Sequence, residues 1–309
     1  MTARMSVQAP SSVVMIRPSH FIPNPETAAD NAFQDQSGVT DAATVALSAY
    51  DEVSAVAEAL MAVGVTVHLF DDETTTSPDS VFPNNWFSTH SGGHVAIYPM
   101  FSPSRRHERR PDVVELLKQE YRVQDVIDYS GLEFDDVFLE GTGAMVLDHV
   151  TRVAYAARSH RADPIALERF CTNFGYEPIA FDAVDGAGMP IYHTNVLMCV
   201  ATDFALAGLG LIPDSKRREQ VRERLAAPGR DVIELTESQV RDFAGNAIEL
   251  QGSRSRVLAL SRRALASLRP EQVATIEQYC EVLPLEVSTI ELAGGSVRCM
   301  IAGIHLDRR

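Results

Sequence analysis

Apolar segments recur along this chain in one order: two strand-like segments, a helical segment and a third strand-like segment. In one copy, FLEGTGAMVLD and RVAYAARS precede the amphipathic stretch DPIALERFCTNF, and EPIAFDAV follows it. Equivalent copies begin at FPNNWFST, IYHTNVLMCV and NAIELQG. Residues that favour helix starts support this order: Pro111 and Pro270 stand at first turns, and Asp163 and Asp214 stand where caps are expected. The pattern predicts four consecutive ββαβ modules.

A fifth module is divided between the two ends of the chain. RCMIAGIHL gives its first strand from the C-terminus, and VVMIRPSH gives its second strand from the N-terminus. Its helix follows within residues 40–64, with Asp41 as a candidate cap and Gly64 as a candidate stop, and VTVHLF gives the last strand. Because the termini complete one module together, we expect a closed ring of five modules in a single α/β domain, residues 1–309.

Five residues occupy matching points where the first strand of a module is expected to begin: Trp86, Glu140, His193, Asn246 and Cys299. Their successive separations are 54, 53, 53 and 53 residues. A ring of five modules would bring these positions together around its axis. The register therefore predicts one central pocket that contains a carboxylate, an imidazole and a thiol.

These three side chains suit attack on a planar carbon that bears nitrogens, as in a guanidine, amidine or ureido group. A thiolate such as that of Cys299 is a strong nucleophile, and His193 is the natural acid and base beside it. Glu140 is expected to accept hydrogen bonds from substrate N–H groups. Taken singly, each residue also fits an ordinary structural place, as a core thiol, a bonded core histidine or a surface carboxylate. Their shared register favours the functional interpretation.

The composition limits the classes of molecule that this protein is expected to bind. With 42 acidic and 27 basic residues, the net charge of −15 disfavours nucleic acid and anionic membranes and suits a small zwitterionic substrate. No segment approaches the ~20 apolar residues that span a bilayer, and MTARMSVQAP lacks the apolar core of a signal peptide. Without a Cys-x-x-Cys pair, a zinc ribbon or thioredoxin motif is excluded. We expect a cytoplasmic protein with reduced thiols, no metal and no cofactor.

The chain resembles the arginine deiminase and amidinotransferase superfamily of guanidino-group-modifying enzymes (penteins), and within it the bacterial citrulline utilisation hydrolases. The segments that carry this resemblance span nearly the whole chain: MIRPSHF, FPNNWFSTH, FLEGTGAMVLD, YHTNVLM, GSRSRVLALS and GGSVRCMIAGIHL. The resemblance implies a five-bladed α/β propeller of ββαβ modules with pseudo-five-fold symmetry.

The resemblance also implies roles for individual residues. Cys299 would be the nucleophile, His193 the general acid and base, and Glu140 the carboxylate that holds the substrate's nitrogens. Arg161 is similar to the arginine of a Ser-x-Arg-Thr segment that binds the substrate carboxylate, although Ala162 stands here in place of the threonine. We expect the substrate pocket to include Asn85, Trp86, His90, Arg161, Asn195 and Asn246.

Three departures from arginine deiminases concern the substrate. Thr89-His90 replaces an Arg-Asp pair, Asn195 replaces the aspartate of a His-x-Asp segment, and Gly143 replaces the aspartate of Glu-Gly-Gly-Asp. A cationic guanidinium would lose charge-assisted hydrogen bonds by these changes, whereas a neutral ureido group does not need them. We therefore expect a hydrolase that converts citrulline to ornithine, ammonia and carbon dioxide, with Glu140 as the one acid of the pocket.

Two alternatives remain open at this point. An arginine or methylarginine deiminase, or an amidinotransferase, would use the same three residues on another substrate. A protein of this fold could also be a non-catalytic binding protein, since a fold alone does not establish an activity. The oligomeric state is open as well, with a homodimer as one possible assembly.

Overall fold

Five small sheets of three strands each make up the β-structure of the described chain, residues 7–35 and 41–309 of a computed structural model. Residues 1–6, part of the stretch for which we expect no signal peptide, lie outside this description. The strands are Ser12–Pro18 (β1), Thr66–Asp72 (β2), Phe87–His90 (β3), His94–Ile97 (β4), Asp125–Asp128 (β5), Val146–Asp148 (β6), Val153–Ala157 (β7), Glu177–Phe181 (β8), Met198–Val200 (β9), Phe204–Ala207 (β10), Asp231–Glu234 (β11), Ile248–Gln251 (β12), Arg256–Ser261 (β13), Glu281–Leu285 (β14) and Ala302–Gly303 (β15).

The helices alternate with these strands and range from four to 21 residues. In chain order the α-helices are Ala42–Ala62 (α1), Pro111–Glu120 (α2), Gly141–Ala144 (α3), Pro164–Phe174 (α4), Thr194–Leu197 (α5), Ser215–Ala226 (α6), Glu237–Arg241 (α7), Arg262–Ser267 (α8), Pro270–Glu277 (α9), Ser288–Glu291 (α10) and Val297–Met300 (α11). Short 3₁₀ helices add Pro83–Asn85, Pro103–Glu108, Ser130–Asp135 and Leu209–Leu211.

Every sheet repeats one connectivity. In the sheet β6-β7-β8, for example, β7 pairs antiparallel with β6 and parallel with β8. A parallel pair needs a long crossover, and the helix α4 supplies it. The same arrangement holds for β3-β4-β5 with α2, for β9-β10-β11 with α6 and for β12-β13-β14 with α8 and α9. The predicted order of ββαβ modules is confirmed.

The sheet β15-β1-β2 joins the two ends of the chain, as the sequence predicts. Val13 pairs with Gly303 across an antiparallel ladder, and β1 pairs in parallel with β2 after the helix α1. The side chain of Asp41 caps α1 by accepting from the backbone N–H of Thr44 at 3.0 Å. Gly64 ends the helix with a φ of +92°, and a Cβ atom there would lie 2.5 Å from Cβ of Ser253. The left-handed backbone and the close contact both require glycine at this position.

The start of each first strand differs from the prediction. We expected strands to begin at Glu140, His193 and Cys299, but these residues belong to short helical turns at α3, α5 and α11. Local bonds close these turns; Met145 N–H, for instance, donates to the carbonyl of Gly141 at 3.0 Å. The backbone there is consequently not part of a ladder, and the side chains lie on loops that precede β6, β9 and β15.

A cavity lies among the first strands of the five sheets. Its wall includes residues of β3, β6, β9, β12 and β15, and we call it the strand cavity. The short turns that precede these strands therefore converge beside one another, and this convergence positions the site described below. Within the described ranges, no helix is long and apolar enough to cross a membrane.

Candidate active site

The thiol of Cys299 is buried and is held by two amides. Its Sγ atom accepts hydrogen bonds from Nδ2 of Asn195 at 3.1 Å and from Nδ2 of Asn246 at 3.2 Å. Asn246 is fixed in turn, because its Oδ1 atom accepts from the backbone N–H of Arg298 at 3.0 Å. The side chain of Cys299 therefore points to a defined place, surrounded by N–H donors that stabilise negative charge on sulfur.

His193 and Glu140 form a buried pair, with Nε2 of His193 2.8 Å from Oε2 of Glu140. Burial raises the pKa of the Glu140 carboxyl, but Arg161, Arg105 and the bond to His193 outweigh it and hold that pKa well below its usual range. An ionised carboxylate only accepts, so Nε2 of His193 carries the proton. Burial lowers the pKa of His193 to about 4 despite the opposing carboxylate. The imidazole is therefore neutral at pH 7, with its basic lone pair on Nδ1.

Two guanidinium groups fix the Glu140 carboxylate from the other side. Its Oε2 atom lies 3.2 Å from NH1 of Arg105 and 3.5 Å from NH1 of Arg161, and its Oε1 atom accepts from the backbone N–H of Phe101 at 3.0 Å. The protein's own donors thus surround both oxygens. This network orients Glu140 towards His193.

His193 and Cys299 line the same small cavity, which has a volume of about 10 Å³ and which we call the Cys299 cavity. Its wall also includes Thr27, Asn31, Asp79, Phe82, Asn85, Arg105, Arg161, Tyr192, Ala293 and Gly295. A thiol, a neutral imidazole and paired charges consequently face one small space.

Two glycines keep this space open. A Cβ atom on Gly143 would lie 2.2 Å from the side-chain amide of Asn85 and 2.9 Å from Nδ1 of His193. A Cβ atom on Gly295 would lie 2.7 Å from the ring of Phe82 and 3.2 Å from Cβ of Cys299. A side chain at position 143 would clash with Asn85 and His193, and a side chain at position 295 would clash with Phe82 and crowd Cys299.

Two further predicted residues lie in the cavity wall. Asn85, oriented so that both amide atoms are satisfied, accepts from NH1 and NH2 of Arg105 at 3.1 and 3.0 Å. Arg161 directs its Nε and NH2 atoms to the carboxylate of Asp30, at 3.1 and 2.6 Å. The edge of Arg161 that a substrate carboxylate would use is thus occupied by Asp30.

The structure does not bring Trp86 and His90 into the Cys299 cavity, and the predicted pocket residues Asn195 and Asn246 contact Cys299 without lining the cavity. Trp86 is 1% exposed and packs on Phe87 with ring centroids 4.4 Å apart. His90 bonds to Ser88 at 2.7 Å and packs against Phe174, 4.4 Å between ring centroids. Side chains alternate along β3, so Ser88 and His90 point away from the face of Thr89, whose hydroxyl bonds to the carbonyl of Gly303.

The sequence interpretation missed three charged residues of this site. Arg105 is 2% exposed and bonds through Nε and NH2 to Glu108 at 2.9 and 3.0 Å. Asp79 lies 3.5 Å from Nε of Arg105 and accepts from Nδ2 of Asn24 at 2.9 Å. We expected Glu140 to be the one acid of the pocket, but the acid in the wall of the Cys299 cavity is Asp79. Arg105 stands in the run SRRHERR and Asp79 in SPDS, which are patterns typical of solvated surface, and Asp30 stands in an irregular loop.

In the part of the chain that the structure describes, no group of three or more His, Cys, Asp or Glu side chains is arranged to hold a metal ion. The buried charged groups instead contact one another.

Comparison with solved structures finds the same fold in three related enzymes. The N-terminal domain of ArgZ, an arginine dihydrolase from the ornithine-ammonia cycle in cyanobacteria, matches with a TM-score of 0.72, 16% identity and coverage of 95% of this chain and 97% of that chain. AgrE matches with a TM-score of 0.70 and 18% identity over 96% of this chain and 40% of its own. DDAH from Pseudomonas aeruginosa, solved in complex with citrulline, matches with a TM-score of 0.61 and 15% identity over 96% and 99%.

Comparison of the sequence with known families identifies the family of this chain. No curated protein matches this chain at a significant level. The sequence pattern of the eukaryotic N,N dimethylarginine dimethylhydrolases, however, matches residues 17–306. That range covers nearly all 309 residues and includes the three residues whose equal spacing first indicated a site. The chain therefore belongs to the dimethylarginine dimethylhydrolase family of the guanidino-group-modifying superfamily, and it is a hydrolase that acts on carbon–nitrogen bonds other than peptide bonds.

Proposed function

We propose that this protein is a citrulline hydrolase in which Cys299 is the nucleophile, His193 the general acid and base, and Glu140 the group that orients His193. The five ββαβ modules would form a single propeller domain, with the Cys299 cavity on its axis. The observation that supports this proposal is the environment of Cys299. Its sulfur accepts hydrogen bonds from the amides of Asn195 and Asn246, and Cys299 and His193 line the same cavity.

The first step forms a carbon–sulfur bond. The neutral His193 takes the thiol proton, the thiolate of Cys299 attacks the ureido carbon, and the proton passes to the nitrogen that leaves. With ammonia as the leaving group, Cys299 then carries an N-substituted thiocarbamate. The amides of Asn195 and Asn246 donate to the sulfur and fix its position for this attack.

The second step consumes one water molecule. His193 accepts a proton from water, the hydroxide attacks the thiocarbamate carbon, and the carbon–sulfur bond breaks with return of a proton to Cys299. The resulting carbamic acid separates into ornithine and carbon dioxide. The sum is citrulline plus water to ornithine, ammonia and carbon dioxide, without an oxidant or reductant.

The charges of the cavity support a neutral reacting group. Glu140 is already engaged by His193, Arg105 and Arg161, so it has little capacity left for a substrate cation. Asn195, beside the nucleophile, is uncharged and can donate to a ureido oxygen, which an aspartate could not do. The replacement of the deiminase aspartate by His90 does not support a neutral substrate, because the side chain of His90 packs among aromatic rings.

One observation favours a second candidate, the hydrolysis of arginine or a methylarginine. Asp79 lines the Cys299 cavity, and a carboxylate there could pair with a guanidinium. Burial raises the pKa of Asp79, although Arg105 and Asn24 oppose it, so the pairing would require this acid to be ionised in a desolvated place. We therefore propose citrulline as the substrate in preference to arginine or a methylarginine.

The test is a substrate comparison without added metal. Purified protein is incubated with citrulline, arginine and asymmetric dimethylarginine, and ammonia, ornithine, citrulline and dimethylamine are quantified. Ornithine and ammonia from citrulline, with slower conversion of the two cations, support the proposal. Faster turnover of arginine, or release of dimethylamine, would replace it with the second candidate.

A further inference from the structure

We propose that the strand cavity is a second binding site, separate from the Cys299 cavity, and that it takes a small oxyanion or carboxylate through the guanidinium of Arg298. The strand cavity has a volume of about 50 Å³ and is partly open to solvent. It shares no wall residue with the Cys299 cavity, although Arg298 and Cys299 are neighbours in the chain. No role in the proposed hydrolysis uses it.

Arg298 brings an unpaired positive charge to this cavity. Among the residues that the structure describes, its guanidinium has one hydrogen-bond partner, the carbonyl of Ile301, at 2.9 Å from NH1. No described carboxylate forms an ion pair with it, whereas Arg105 and Arg161 each contact carboxylates. An arginine stays charged even where burial lowers its pKa, as burial does here. Arg298 is partly buried, and a partly buried cation without a counter-charge is costly, so an anion would offset part of that cost.

The one acid in the wall, Glu249, is already satisfied elsewhere. Its Oε2 atom accepts from the backbone N–H and the hydroxyl of Thr202, at 2.8 and 2.6 Å. Its Oε1 atom accepts from NH1 of Arg256 at 3.1 Å. Glu249 thus has its own cation in Arg256, and the charge of Arg298 remains uncompensated within the described wall.

Two histidines extend the polar wall. The rings of His149 and His305 stack with centroids 3.7 Å apart, and both residues line the cavity. Burial lowers the pKa of both, and at His305 the charge of Arg298 adds to this effect, so that both rings are neutral at pH 7. The Nδ1 atom of His149 is engaged with the hydroxyl of Tyr176 at 2.9 Å, which leaves its Nε2 atom as the second polar position of the ring.

Size and charge together define the ligand class. A guanidinium presents a planar fork that matches the two oxygens of a carboxylate or phosphate. The enclosed space excludes a polymer, and the net charge of −15 disfavours polyanions. The site therefore fits a small anion of a few heavy atoms, such as inorganic phosphate or a short carboxylate.

Titration calorimetry with inorganic phosphate and with acetate, at an ionic strength held constant by sodium chloride, tests the proposal. Arg298→Met removes the guanidinium, and Arg158→Met is the matched control, because Arg158 is a half-exposed surface arginine that pairs with Asp182. We expect binding of at least one anion by the wild type and the control, and a loss of at least tenfold in affinity for Arg298→Met. Equal affinity in all three proteins, or no binding by the wild type, would overturn the proposal.

The position of the anion needs its own measurement, because Arg105 and Arg161 could also attract one. Crystals of the wild type soaked in selenate give anomalous density wherever the anion binds, and this readout needs no folded variant. Density at Arg298 supports the proposal, and density confined to the Cys299 cavity contradicts it. Neither experiment measures turnover, so a failure here is distinct from a failure of the proposed citrulline hydrolysis.

Discussion

Gly143 lies directly against the ring of His193: a Cβ atom at position 143 would stand 2.9 Å from Nδ1, the nitrogen that carries the basic lone pair. It would also stand 2.2 Å from the side-chain amide of Asn85. Gly143→Ala should therefore displace the base or the wall of the cavity. Misplacement of a catalytic group by about 1 Å costs on the order of 10²-fold in rate, so we expect kcat/KM to fall by roughly 10- to 100-fold. Steady-state kinetics on citrulline measures the effect.

Gly131→Ala is the matched control, because a Cβ atom there meets no atom within 4 Å. We expect its kinetics to equal those of the wild type. If Gly143→Ala is as active as Gly131→Ala, the ring of His193 does not need the space and its role as the base is in doubt.

Cys299→Ser should abolish turnover, because a hydroxyl is a far poorer nucleophile than a thiolate at neutral pH. We expect a loss of roughly 10³-fold or more in kcat with the fold retained. Iodoacetamide should label Cys299 first, since burial raises the pKa of Cys171, Cys199 and Cys280 to about 12. Mass spectrometry of the labelled protein, followed against activity, checks this order. Faster labelling of another cysteine with matching inactivation would contradict the assignment.

Acidification should destabilise the folded chain above the range where carboxylates titrate. The pKa of His193 is about 4 in the folded state against 6.5 for the free side chain, and burial also lowers the pKa of His90, His149 and His305. Between these values the unfolded chain binds protons that the folded chain does not, so the free energy of unfolding falls as the pH falls. For each of these histidines, the free energy of unfolding should fall by about 1 kcal/mol per pH unit.

Urea unfolding at about pH 7 and about pH 5 measures this difference. His193→Asn removes one of the groups and should show a shallower dependence than the wild type. A pH dependence of His193→Asn as steep as that of the wild type would show that the ring of His193 is not held in the neutral form.

The order of modules and the core of the site could be predicted because both follow from repetition. Each module places a turn before its first strand, so equal spacing along the chain brings Glu140, His193, Asn246 and Cys299 to one region. The meeting of β15 with β1 was likewise implied by the incomplete modules at the two ends.

The charged network around Glu140 could not be predicted in the same way. Arg105 lies in a short 3₁₀ helix and Asp79 and Asp30 lie in turns, all outside the repeat, and their polarity alone suggests solvent exposure. Asp79 is buried in contact with Arg105, and the partly buried Asp30 pairs with Arg161; such pairing depends on distances that only the folded chain defines. For His90 the prediction was wrong. The family resemblance predicted that it lines the substrate pocket, but side chains alternate along β3, and that of His90 points towards Phe174.

The contact between Asp30 and Arg161 allows a test of the proposed carboxylate site. Asp30 binds Nε and NH2 of Arg161 at 3.1 and 2.6 Å, in the position that a substrate carboxylate would take. If Arg161 binds substrate, Asp30→Asn removes a competing charge while keeping the size of the side chain, and KM for citrulline should fall by roughly two- to tenfold, about the effect of one partly exposed ion pair. An unchanged KM, or a rise in KM, would indicate that Asp30 only positions Arg161.

Asn195→Asp tests the charge beside the nucleophile. Nδ2 of Asn195 donates to Sγ of Cys299 at 3.1 Å, and an aspartate would replace this donor with a negative charge next to the forming thiolate and the ureido oxygen. Loss of a buried hydrogen bond costs about 1–3 kcal/mol, so kcat/KM for citrulline should fall roughly ten- to hundredfold. Asn173→Asp is the control, because Asn173 is exposed and bonds to the hydroxyl of Tyr129. Activity on arginine is measured in parallel: a variant that gains arginine turnover as it loses citrulline turnover supports the ureido assignment, and a wild type that prefers arginine would refute it.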